Sequence, residues 1–147
     1  AEPEHLLGLA QQTLITAKID AISRQNSWES AMAIQNYADN GAFAPRKIVD
    51  ALRTTSDELA RSLGLGKDAI QRKDRIASTR TQRRLRQMVE VLNKVEPRFG
   101  SALLAYAWYR SEPLPGFSGQ TAMQLVQSNR ADDVLTYIDA VDAGVHA

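Results

Sequence analysis

Apolar residues recur along this chain at three- and four-residue intervals, and nowhere do Val and Ile alternate with polar residues over a strand's length. That period gathers side chains on one face of a helix. Leu7, Ala10, Leu14, Ala17 and Ala21 carry it through residues 4–24, and Ser27 is placed to cap a second helix from Trp28 to about Asn40, stopped by Gly41. Residues 41–45 then read as a loop and a boundary. A short helix is predicted from Arg46 to Leu52. Thr55 and Glu58 have capping-box spacing, which starts a helix reaching Leu63-Gly64. Leu65-Gly66 make a turn, and another helix is predicted from about Lys67 to Ile76. Thr79 and Gln82 suggest a second capping box, opening a long helix with Leu85, Met88, Val89, Leu92 and Val95 on one face. Pro97 and Gly100 mark a junction. Beyond it, helices are predicted over Ser101 to about Arg110, Gln120–Ser128 and Ala131–Ala143, with a loop over Glu112–Gly119 and Gly144 releasing the last three residues.

The predicted fold is all-α, in three parts. Residues 1–45 form an N-terminal helical extension, residues 46–97 a helix-turn-helix region, and residues 98–147 a small C-terminal helical domain. In the middle part Leu59 and Leu63 pack inward one turn apart, and Ala60 permits a close crossing. Gly64 supplies the left-handed backbone of a sharp turn. Ala69, Ile70 and Ile76 then point one way, while Lys67, Asp68, Gln71, Arg72 and Arg75 point the other, as readers of bases and phosphates would. Arg80, Arg83 and Arg84 lie off the apolar face of the long helix and add candidate phosphate contacts. A plain hairpin with a solvated charged face satisfies the same pattern.

Charge sharpens this picture. The 147 residues carry a net charge of only +1, but unevenly. Residues 46–99 hold 14 basic against 7 acidic residues, while the segments on either side are each −3. A basic middle between acidic ends suits a polyanion for the middle and a different partner for the tail. Composition removes other classes. With 0 Cys there are no disulfides, thiolate nucleophiles or Cys-based zinc sites, and His5 and His146 are too few for a His-based triad or metal site. No catalytic residue, cofactor or metal is expected, so the chain does not read as an enzyme. It holds no apolar run of membrane-spanning length and opens on no basic-then-apolar leader, so a cytoplasmic protein without membrane contact is expected.

The tail is the most distinctive segment. Trp108 precedes a loop with Pro113 that ends in Gly119-Gln-Thr121. Leu125 follows in a short helix, Asn129 sits at a turn, and Val134 and Ile138 lie on the last helix before Gly144. In this order the residues resemble the toxin-binding domain of Xre/MbcA/ParS-like antitoxins, over about residues 100–147. The helix-turn-helix region agrees with that family's layout. Where the family usually has Pro after the Thr, this chain has Ala122.

The resemblance implies an antitoxin of a type II system whose partner is a RES-domain toxin that degrades NAD⁺. It implies a C-terminal segment packed at the toxin's active-site entrance and an N-terminal part that represses its own operon by binding operator DNA. The corresponding toxin contacts here are Asp139, Asp142, Gly144, Val145 and His146. Val141 and Val145 beside the two acids give apolar anchors with a negative rim, although either valine can equally close the domain's own core. Operator binding through half-sites calls for a homodimer. The competing reading is a stand-alone helix-turn-helix transcriptional regulator that uses its C-terminal domain to dimerise.

Overall fold

A 21-residue helix organises the other described elements. The computed structural model describes residues 37–145, with side chains through residue 144. The helices expected over 4–24 and 28–36 lie outside the described residues. The elements are β1 (Ala38–Asp39), β2 (Ala42–Phe43), α1 (Pro45–Leu52), α2 (Ser56–Ser62), α3 (Asp68–Gln71), α4 (Lys73–Ile76), α5 (Thr79–Phe99), α6 (Ala102–Ser111), α7 (Ala122–Gln127) and α8 (Ala131–Val145). The fold is mainly all-α, with one two-stranded sheet.

The apolar period of α5 becomes the core. Leu85, Met88, Val89, Leu92 and Val95 are buried, as predicted, and Val91 joins them. Against them pack Leu59 and Leu63 from the middle region. Tyr109, Leu125, Val134 and Ile138 come from the tail. The regions expected on either side of residue 97 therefore fill one interior. α5 itself runs past Pro97 and ends at Gly100, whose φ of 80° lets its N–H bond the Glu96 carbonyl. A two-residue link leads into α6, which packs more extensively on α5 than any other pair of elements does.

Four local expectations are corrected. Residues 38–43 are a hairpin rather than a helix end, with β1 antiparallel to β2. Asn40 (φ 51°) and Gly41 (φ 80°) both adopt the positive φ that its tight turn demands, and Asn-Gly is the pair best able to do so. The helix predicted over 67–76 is broken. Arg72 is extended (φ −90°, ψ 130°) and separates α3 from α4. Side chains of α5 hold the broken ends: Thr81 Oγ1 donates to the Ala69 carbonyl at 3.3 Å and Gln82 Nε2 to the Ile76 carbonyl at 2.9 Å. Gln82 also exchanges hydrogen bonds with the backbone of Phe43. Gln82 is therefore not part of a capping box, and the cap of α5 is Ser78, whose hydroxyl accepts the Thr81 N–H. Last, Gly144 does not release the chain, because α8 continues through it to Val145.

The cap at α2 forms by half. Thr55 Oγ1 accepts the Glu58 N–H at 3.1 Å, while the Glu58 carboxylate turns to Arg61 at 2.7 Å. Among the described residues no helix is long and apolar enough to cross a membrane.

Candidate partner-binding surfaces

The predicted nucleic-acid residues divide into three groups. Lys67 and Arg72 are in ion pairs, with Asp57 at 3.4 Å and Asp74 at 3.6 Å. Asp68 opens α3 and Gln71 closes it, both exposed. Arg75, Arg80 and Arg83 are exposed and form no ion pair among the described residues. Because α3 and α4 are separate helices of four residues each, Gln71 and Arg75 do not share one helical face.

Arg84 belongs to none of these surfaces. Its Nη1 donates to three carbonyls: Leu63 at 3.0 Å, Val126 at 2.9 Å and Gln127 at 3.0 Å. Those oxygens lie at the C-terminal ends of α2 and α7, where helix carbonyls lack intrahelical donors and the dipole is negative. Partial burial lowers its pKa below the usual arginine value, and the like charges of Arg80 and Arg83 push the same way. The contact expected of Arg84 with phosphate is thus replaced by a tie between the middle region and the tail. Two neighbours reinforce the tie. Gln127 Nε2 donates to the Arg61 carbonyl at 2.6 Å. Gly64 (φ 67°) lies so close that a Cβ there would stand 3.1 Å from the Gln127 oxygen.

The residues that carried the family resemblance have identifiable structural duties. Trp108 is buried with its ring 6.2 Å from that of Phe99. Pro113 bridges Thr121 across the base of the loop, and Leu114 plugs its interior. Thr121 caps α7 in a full capping box with Gln124, donating its N–H at 2.9 Å and accepting at 3.2 Å. Ala122 is the first helical residue, the position where proline fits a helix without losing a bond, which accounts for the alternative residue there. Asn129 takes φ 61° in the turn to α8. Phe117 is half-buried: it meets Tyr137 edge-on at 6.0 Å and lies under Arg130 at 5.8 Å.

In the tail, two acidic residues pair with basic residues of α5 while staying in water. Asp139 pairs with Lys94 and Asp142 with Arg98, and Arg98 also donates to the Ile138 carbonyl at 3.3 Å. Gly144 is exposed on the last turn of α8, Val145 is its final residue, and His146 lies outside the described residues.

Sequence reasoning missed the outer face of α6. Leu103 and Leu104 are 38% and 55% exposed, and Ala107 is exposed one turn on. From Ala107 a groove of about 330 Å³ continues between α2, α6 and α7, with Met123 on its wall and Glu58, Arg61 and Arg110 at its rim. The available signal was that α6, Ala-Leu-Leu-Ala-Tyr-Ala-Trp-Tyr, is apolar nearly all round, more than one buried face requires. The tyrosines behind it are structural. Tyr109 is fully buried, donates to the Ser62 carbonyl at 3.2 Å, and has its pKa raised far above the ordinary tyrosine value, chiefly by that burial. Among the described residues no cluster of His, Cys, Asp and Glu is suited to hold a metal ion.

Residues 94–144 match the family model of the antitoxin Xre/MbcA/ParS C-terminal toxin-binding domain. The chain matches no curated protein and no solved structure.

Proposed function

We propose that this chain is an antitoxin that neutralises a RES-type, NAD⁺-degrading toxin by occluding its active site, because residues 94–144 match the model of the antitoxin toxin-binding domain family. The family match carries the reading. The toxin-facing surface comprises Asp139, Asp142, Gly144, Val145 and His146, together with the apolar outer face of α6. Two features favour this assignment. Leu103 and Leu104 leave apolar area in water within the matched segment, and burying a leucine in a partner contributes roughly 1.5–3 kcal/mol. Val134 and Ile138 seat α8 in the core, with Lys94 and Arg98 paired to its acids, so the helix is presented on a fixed support.

The test is NAD⁺ loss with a cognate RES toxin present. Truncation after Ala143 and the double change Leu103→Glu, Leu104→Glu should each weaken inhibition at least tenfold while leaving helicity unchanged. If both altered proteins silence the toxin as well as the parent does, this surface is not the inhibitory one. The basic middle region is proposed to bind DNA, a reading supported by the unpaired exposure of Arg75, Arg80 and Arg83. Binding to a duplex at low salt is its direct check.

A further inference from the structure

We infer that the protein holds duplex DNA by its phosphate backbone, along a stripe of arginines on α5, and does not read bases with a recognition helix. The inference rests on the DNA-binding part of the reading above and specifies its chemistry.

Two observations carry it. The first is the state of the helix that ought to enter a major groove. Readers of base edges project several side chains from one continuous helix. Here that segment is α3 and α4, four residues each, divided by an extended Arg72. A four-residue helix is about 6 Å long, hardly one turn. Lys67 and Arg72 already have carboxylate partners, and Asp68 adds a charge that repels phosphate.

The second is the face of α5 turned to water. Arg80, Arg83 and the previously unremarked Arg86 stand three residues apart on an unbroken helix. All three are exposed and without an ion pair among the described residues. They span about 9 Å along the axis and step round it by about 60° each time, which fans the guanidinium groups over one surface. Arg75, on the adjoining α4, is exposed and unpaired as well. The first turn of α5 contains no acid, although a helix N-terminus favours negative charge and disfavours positive. The cluster is therefore uncompensated within the described residues, and Arg80 and Arg83 visibly burden Arg84 as like charges. Glu90, exposed one turn past Arg86, ends the stripe. Guanidinium forks match phosphate oxygens two at a time, and such contacts carry no sequence information.

The experiment uses the full chain with a pool of random duplexes. Bound DNA is recovered and sequenced, and affinity is followed by fluorescence anisotropy between about 50 and 200 mM salt. The expected result is no enriched motif and a slope of log affinity on log salt of about −3.6, for four arginines. The triple variant Arg80→Ala, Arg83→Ala, Arg86→Ala should make the slope shallower by about 2.7 with its unfolding midpoint unchanged. Gln71→Ala should change neither affinity nor slope. An enriched motif whose preference disappears in Gln71→Ala overturns the inference and leaves DNA binding standing. An unaltered slope in the triple variant does the same. No binding to any duplex at the lowest salt overturns both, and tighter binding to duplex RNA at equal salt overturns DNA as the partner.

Discussion

Arg84 and Gly64 meet the same stretch of backbone from opposite sides. The guanidinium supplies donors for the Val126 and Gln127 carbonyls, and the missing Cβ of Gly64 leaves room for Gln127. Arg84→Met strands the part-buried Leu63 and Gln127 carbonyls, while Val126 keeps the Asn129 N–H, and should lower stability by about 2 kcal/mol in urea unfolding. Gly64→Ala combines an unfavourable left-handed φ with a tight approach to the Gln127 backbone and should cost about 1–2 kcal/mol in the same measurement. Tyr109 makes a different demand. Its folded-state pKa is raised, so its contribution is complete below the unfolded value near pH 10. Above that pH the unfolded chain loses the proton and the folded one keeps it. Stability should then fall by about 1.4 kcal/mol per pH unit for this group. Tyr37, raised by burial and by Glu96, acts in the same direction. Urea midpoints through the alkaline range check this, and Tyr109→Phe should flatten the decline. Of these duties, only the left-handed backbone of Gly64 was legible from neighbouring residues. Arg84 was expected off the apolar face of α5, yet it stands one turn from Met88 and two from Val91, both buried, and the carbonyls it meets are 21 to 43 positions away in the chain.

Helices α1, α2, α5, α6, α7 and α8 follow their apolar periods closely, because each buries the stripe that the period defines. The sequence was least informative where a remote side chain decides the local backbone. The break at Arg72 depends on Thr81 and Gln82 reaching back to Ala69 and Ile76. The β1–β2 hairpin had a local sign in Asn40-Gly41, which a helix reading overrode. At the tail, the acids of α8 were legible as an exposed charge pattern, but not as partners of Lys94 and Arg98. Exposed pairs of this kind contribute little, so Asp139→Asn and Asp142→Asn should each destabilise by less than about 1 kcal/mol. If α8 is the toxin-facing helix, the same two changes should shift toxin affinity well beyond that amount, which calorimetric titration against the toxin measures.

At the scale of the molecule, residues that looked like two regions share one interior, with α5 as the common wall. Unfolding of this part should be a single event. With Trp28→Phe, Trp108 becomes the sole tryptophan and reports on the tail, while far-ultraviolet circular dichroism reports on all helices. The two transitions should coincide. Leu59→Ala, at the far side of the core, should move both together by about 2–5 kcal/mol. The Arg84 tie has a consequence for how such a protein can diversify. The family match begins at residue 94, in the last third of α5, so a genetic crossover there would join most of one helix to the end of another. It would also set Arg84 from one parent against carbonyl groups supplied by the other. With the toxin-facing surface proposed above on α6 and α8, a lineage in which this head and its support are knotted here would gain new partners by substitutions on those outer faces. Wholesale exchange of the head is open only to parents that agree on the geometry around residues 63, 84 and 127.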